Sequence, residues 1–466
     1  MDILSVTFVV FVLVTLLGNF VLPQALRKPW LLVASYAFLA SWSIGAALLL
    51  ACLTVVHFAI GRALVRSTHP ERWLWGGVVL DGVAFGALRV LTSPMLRMMA
   101  ERGGWNSALN WMMPVGFSFY ILQLAGYLFD LRAGRVGRQH SLLDFSLYLA
   151  YFPKLLSGPV ERGRDFLKRL QPLARPTGGQ IRQGLKMMLM GLLRKVAIAD
   201  ALLWLFPADL FSAPMQFSII ERAGWLLVFA FRLYNDFAGY TDMMRGLGLL
   251  IGLPLGVNFR EPFFARSLSE FWNRWHISLS AWLRDFIFYP LSRSLARRPW
   301  GAGWLRWVLP PLVTMLFSGF WHGASLAMLA WGGLHGLCLV WEQVGQRWAH
   351  RWPHVLEKLL FAPSWLRTQL IVLLLWVPFA AGDFGWALRF WGALLTPAGP
   401  VFLPVGWFWP LLLMMVSLGL DWAEERQFFE RLPQTIQAAT IGLGLVWVVL
   451  SLGGGLDVSG FVYQGF

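Results

Sequence analysis

Cysteine is nearly missing from this 466-residue chain: Cys52 and Cys338 each stand alone in an apolar run. No C-x-x-C or C-x-x-C-H spacing occurs, so there is no sequence basis for a disulfide framework, a zinc site, a redox pair or covalent haem. Both cysteines are expected in the core. Charge is scarce too, at 14% of residues against 57% hydrophobic and 15% aromatic. The mean hydropathy of +0.59 lies far from that of a soluble domain. Also lacking is the alternation over ~10 residues that marks a membrane β-barrel. No basic residue precedes the first apolar run and no small-x-small pattern follows it, which argues against a removable signal peptide. No polar connection is long enough for an inserted soluble domain. A single integral membrane domain, 1–466, is expected.

What is present are long apolar runs, among them 5–22, 30–64, 74–91, 111–129, 184–206, 225–240, 368–380, 405–420 and 441–452. They predict an all-α polytopic protein with roughly ten to fourteen membrane segments, since ~20 apolar residues span a bilayer as helix. Arg27 and Lys28 directly follow the first run, and the positive-inside bias then makes that loop cytoplasmic and the N-terminus periplasmic. Lys and Arg outnumber Asp and Glu by 39 to 24, a net charge of +15. The excess is concentrated in loops around 162–182 and 293–306, where it reads as a topology signal facing the cytoplasm rather than a nucleic-acid surface.

From about Tyr151 to Glu342 the apolar segments are shorter and broken by Pro, Gly and charge, as in YFPKLLSGPVE and YNDFAGYTDMMRGLG. Broken backbone at membrane depth is tolerated where it is buried in protein or lines a water-filled cavity. Residues 270–286, EFWNRWHISLSAWLRDF, read as one helix put Asn273, His276, Ser280 and Arg284 within an arc of roughly 80°. Such a stripe either lies in the headgroup plane or lines a cavity entered from the cytoplasm, where Arg274 or Arg284 meets an anionic donor.

His322 lies in SGFWHGAS, inside the uncharged run 307–341. An imidazole there faces the protein interior rather than lipid, and its small neighbours permit close packing or leave room for a substrate atom. Histidine, whose unperturbed pKa lies near neutrality, suits general-base work in acyl transfer to a hydroxyl; one buried hydrogen bond is the alternative account. His335, thirteen residues on, lies about 20 Å away along a continuous helix and is expected to be structural. His57, His69, His140, His350 and His354 are scattered singly, with no shared role expected. Asp130, Asp200, Asp236 and Asp242 call for basic partners among Arg132, Arg194, Lys195 and Arg245. Asp236, flanked by Tyr234, Asn235 and Tyr240, is also a candidate for the substrate cavity.

Taken in order, MPVGFSFYILQLAGYLFD, YFPKLLSGPVE, GLKMMLMGLLRKVAIAD, YNDFAGYTDM, FWNRWHISLSAWLRDFIFYPL, GFWHGASLAMLAWGGLHG and the terminal FVYQGF resemble the membrane-bound O-acyltransferase (MBOAT) family, in its bacterial branch acting on alginate, cellulose and teichoic acids. The resemblance is strongest over 114–342. The chain departs from the family pattern at Asn235 and Ala238, and in LLWVPFAAGDF near the C-terminus.

The resemblance implies a ring of transmembrane and re-entrant helices whose cytoplasmic and external funnels meet near His322. It makes His322 and His276 the catalytic residues; Asn273, Ser280, Arg284 and Asp236 are the substrate-binding candidates. It implies an inner-membrane O-acetyltransferase serving an exported polysaccharide of the alginate or cellulose type. The donor would be an acyl thioester such as acetyl-CoA, as co-substrate, with no bound cofactor and no metal. A periplasmic acetyltransferase- or esterase-like partner and a polysaccharide synthesis complex are the implied partners. D-alanyl transfer to an envelope polymer, a non-enzymatic channel or exporter, and a haem protein ligated by two of His276, His322 and His335 are the competing readings.

Overall fold

The computed structural model describes residues 3–91, 116–137, 140–297, 303–348, 364–397 and 405–453. Pro114, His350, His354 and the terminal FVYQGF lie outside them. Among the described residues the secondary structure is helical, without a strand. Two compact units are distinguished. One holds the residues up to Gly191 together with Tyr240–Gly256; the other holds Leu192–Gly239 and the described residues from Val257 onward.

The first unit begins with Val6–Val21, Gln24–Trp42, Ile44–Arg66 and Pro70–Leu91. Serines define the starts of several of its helices. Ser5 accepts from Phe8 N at 3.2 Å, Ser43 from Ala46 N at 3.1 Å and Ser141 from Asp144 N at 3.0 Å, each satisfying one orphan amide of a first turn. The polarity of these helices is inverted relative to a soluble protein. Val6, Leu13 and Leu17 are 80%, 60% and 64% exposed, while Thr15, Asn19, His57 and Asp81 are 2%, 1%, 0% and 4% exposed. Apolar surface turned outward over polar groups turned inward is stable where the solvent is hydrocarbon.

By length and composition one helix among the described residues, Ile44–Arg66, is long and apolar enough to cross a bilayer; Val6–Val21 and Trp365–Ala381 are shorter apolar helices. This is far fewer than the segments expected from the apolar runs. The reason is visible in Ile219–Ile251, which has 33 residues but carries Arg222, Arg232, Asp236, Asp242 and Arg245 along its length. The cysteines also differ from expectation, since Cys52 is exposed and Cys338 only half-buried. A small thiol on an apolar helix is suited to an apolar exterior as well as to a core.

In the second unit, Leu305–His322 and Leu326–Trp348 form a hairpin. Its tightness depends on glycine: a Cβ on Gly319 would collide with the Met328 carbonyl, and one on Gly332 with that of Met315. Such mutual approach is open only to the smallest residues. The first helix ends at His322 because Gly323 is extended (φ −176°), and Ser325 then starts the second by accepting from Met328 N at 3.3 Å.

Candidate active site

The segment 270–286 is not one helix. Leu268–Arg274 stops, His276 takes a left-handed conformation (φ 43°, ψ 52°), and Ile277–Leu283 resumes before a π-helical turn, Arg284–Phe288. A left-handed non-glycine residue costs of the order of 1–3 kcal/mol and persists only where its surroundings hold it. Asn258 supplies that hold. Its backbone carbonyl accepts from Ile277 N at 2.8 Å, and its Oδ1 accepts from His276 Nδ1 at 3.1 Å, Ser278 N at 3.3 Å and Ser278 Oγ at 2.8 Å. With Nδ1–H donating to an amide oxygen, Nε2 is the basic nitrogen of the neutral ring.

The break divides the expected stripe. Asn273, Ser280 and Arg284 do come together, lining an opening of about 180 Å³ with Trp272, Thr314 and Gln343 among the other walls. Arg284 donates to Asn273 Oδ1 at 2.7 Å. His276 does not join them, because the left-handed corner turns it inward, where it is 1% exposed. Arg274, the other basic candidate, is held by Glu270 at 2.8 Å and Glu261 at 3.6 Å.

His276 belongs instead to an aromatic box. Its ring is edge-on to Phe237 at 4.8 Å and to Trp321 at 6.2 Å. Trp321 lies 4.8 Å from the His322 ring, and His322 is edge-on to Trp331 at 5.1 Å and Phe379 at 5.5 Å. His322 is 4% exposed. The hairpin also corrects the expected separation of His335. Because the helix ends at Gly323, His335 folds back to 5.1 Å from the same Trp331, and a further 5.1 Å contact joins it to Trp272 on the cavity wall. His335 is fully buried, and neither ring nitrogen has a hydrogen-bond partner among the described residues. Three histidines thus share one set of tryptophan faces. Neither His276 nor His322 lines the 180 Å³ opening; Trp272 and Trp331 stand in the series that runs from it to His322.

Asp236 lies outside that opening. Lys195 donates to Asp236 at 2.8 Å and to Asp200 at 2.8 Å, and all three side chains are buried. Of the other expected pairs, Asp242 meets Arg245 at 3.1 Å, whereas Asp130 meets Arg135 rather than Arg132, which binds Glu71. Arg194 binds Asp421 at 2.7 Å, and Tyr234 donates to the same carboxylate at 2.8 Å. Two positioning residues had no local signal in the sequence. Asn258 lies in an ordinary-looking loop, and Glu342 accepts from Leu268 N at 2.7 Å and Ser269 N at 3.3 Å, fixing the start of Leu268–Arg274 from a distant helix.

A helical protein with an apolar exterior and histidines buried in an aromatic interior fits a membrane setting. Residues 127–355 match the profile of the MBOAT, membrane-bound O-acyltransferase, family. The chain is 33% identical over 428 residues to the "Probable alginate O-acetylase AlgI" of Pseudomonas aeruginosa, an alignment covering 88% of this chain and 78% of that protein. It is 27% identical over 415 residues to the peptidoglycan O-acetyltransferase of Helicobacter pylori, covering 81% and 76%. To the teichoic acid D-alanyltransferase of Streptococcus thermophilus it is 30% identical over 281 residues, covering 59% and 65%. The chain belongs to the membrane-bound O-acyltransferase family and is an acyltransferase.

Proposed function

We propose that this protein is an inner-membrane O-acetyltransferase that moves acetyl groups from a cytoplasmic thioester, such as acetyl-CoA, toward hydroxyls of an exported polysaccharide of the alginate type. The observation that carries the reading is the placement of His322 at the broken end of its helix, buried among Trp321, Trp331 and Phe379. It is supported by the likeness to alginate O-acetylases over most of both chains. In this reading a ring of membrane and re-entrant helices, forming one functional domain with a periplasmic N-terminus, brings a cytoplasmic and an external funnel to His322. A periplasmic partner within the polysaccharide synthesis complex receives the acetyl group.

The chemistry is balanced within the site. The acceptor oxygen attacks the thioester carbonyl, a C–O bond forms, and the C–S bond breaks. His322 takes the hydroxyl proton and returns it to the departing thiolate. His276, whose Nδ1–H is committed to Asn258, offers Nε2 as a second basic nitrogen. Arg284, with Asn273 and Ser280, binds the anionic end of the donor.

The test is acetyl transfer from acetyl-CoA in cells or proteoliposomes. His322→Ala is expected to lower the rate by ~10²–10⁴, as for loss of a general base, with normal insertion and expression. Full transfer by that variant would remove His322 from the chemistry. For orientation, a single cysteine in place of Arg169 or Arg297, in a chain otherwise free of cysteine, should resist an impermeant thiol reagent in intact cells and react once the membrane is opened. Labelling of both in intact cells would invert the topology.

A further inference from the structure

In the first unit a second cavity, of about 580 Å³, opens at the end of Ile44–Arg66. Its lining includes Arg62, Arg66, Tyr127, His140, Ser141 and Gln171, and no carboxylate among the described residues. The volume falls in the range of small-molecule sites, roughly 300–1,000 Å³. Arg62 and Arg66 are one turn apart on the same helix face, an arrangement that is self-repelling without an anion between them. Arg62 rests 5.9 Å over the Phe58 ring, and neither arginine meets a carboxylate among the described residues.

The carboxylate bonded to the wall residue Gln171 already has a cationic partner. Asp144 accepts from Lys28 at 2.6 Å and from Gln171 at 3.3 Å. The wall opposite is built and oriented. His140 Nδ1 donates to the Gly137 carbonyl at 3.1 Å, so in the neutral ring Nε2 accepts the Tyr127 hydroxyl at 2.8 Å. Tyr127 is 1% exposed, and its aromatic contacts to His140 and Phe145, at 5.5 and 4.5 Å, fix the floor. Depth matters as well. Ile44–Arg66 is the helix long and apolar enough to cross a bilayer, and Arg62 and Arg66 occupy its terminal turns, the level at which lipid phosphates sit.

We propose that this cavity binds a phosphate-bearing anion through Arg62 and Arg66, with the Tyr127–His140 pair as its polar floor. Two sources offer that chemistry, the headgroup of an acidic phospholipid and the phosphates of a soluble coenzyme thioester. None of its lining residues belongs to the histidine box, and the phospholipid source does not depend on the acyl-transfer reading.

Full-length protein in zwitterionic detergent is titrated separately with dioctanoyl phosphatidylglycerol, dioctanoyl phosphatidylcholine and coenzyme A, with bound ligand counted by native mass spectrometry. Saturable binding of phosphatidylglycerol or of coenzyme A is expected, with phosphatidylcholine much weaker. R62Q/R66Q should weaken that binding about tenfold, the loss of two charge-assisted contacts to phosphate. V65E, which sets a carboxylate on the cavity wall beside both arginines, should do the same by an independent route. R293Q/R297Q, which removes two charges elsewhere, should leave it unchanged. Whichever ligand loses affinity in the first two variants identifies the source. Wild-type binding of both anions in R62Q/R66Q and V65E, equal binding of phosphatidylcholine, or no saturable binding of either anion would overturn the proposal.

Discussion

Two buried polar clusters in the second unit solve the same problem in opposite ways. Around Lys195, charge is met by charge: one ammonium serves Asp200 and Asp236 at 2.8 Å each. Around His322, the neighbours are ring faces and edges, with Trp321, Trp331 and Phe379 all within 5.5 Å of its centroid. An ion cluster spends its polarity on holding helices together, because separating buried opposite charges is costly. An imidazole set among aromatic groups leaves no buried counter-charge behind when truncated. Under the proposed function the difference separates residues that hold the fold from residues placed for chemistry, and it can be broken by mutation.

The largest expected effect comes from the charged cluster. Lys195→Met removes the ammonium that two buried carboxylates share, and Asp236→Ala removes one of its acceptors. Loss of a buried pair partner typically costs ~3–5 kcal/mol, so both variants should accumulate poorly and unfold early in a detergent thermal melt. Asp236→Asn, which retains a hydrogen-bond acceptor, should be milder. If Asp236→Asn kept its melting midpoint yet abolished acetyl transfer, the carboxylate would take over the acid–base role and the contrast between the clusters would fail.

Next in size is Asn258. Its side-chain oxygen accepts from both His276 and Ser278, so Asn258→Ala frees the ring of His276 and the corner that carries it. An activity loss of ~10-fold or more is expected, from the sensitivity of acid–base catalysis to ring orientation, with kcat falling more than KM rises. Arg284→Gln should show the reverse split. As a half-exposed group bound to Asn273, it should raise KM for the thioester a few-fold with little change in kcat, the pattern of lost uniform binding. A fall in kcat alone would move Arg284 from donor binding to the reaction itself.

These residues also mark how far the sequence could be read. The helical class, the exceptional setting of His322 and the grouping of Asn273, Ser280 and Arg284 follow from composition and periodicity, which survive a local break. The break itself did not announce itself, because FWNRWHISLS contains neither Gly nor Pro. What stops the helix is Asn258, remote in sequence from most of the segment it fixes, and a side-chain oxygen that satisfies amides at a corner leaves no local pattern. The position of His335 was legible in principle, since Gly323 and Ser325 are a helix stop and a start. Treating the uncharged run as one straight helix hid it. Likewise, Glu342 reads as the edge of a polar connection, and only the fold turns it toward the amides of Leu268 and Ser269.

The smallest effect separates what His276 contributes as an imidazole from what it costs as a backbone. Its φ of 43° lies in the left-handed region, where a residue with a Cβ is less stable by ~1–2 kcal/mol and glycine is at no disadvantage. His276→Ala retains that cost and loses the hydrogen bond to Asn258; His276→Gly loses the same bond but relieves the strain. The glycine variant should therefore melt higher than the alanine variant, by an amount worth about 1 kcal/mol, while the two are equally impaired in acetyl transfer. Equal melting of both would mean that the strain at the corner is no larger than the ~0.4–1 kcal/mol that glycine's greater unfolded-state entropy costs. Higher activity in the glycine variant would mean that the corner's geometry, rather than Nε2, is what the reaction uses.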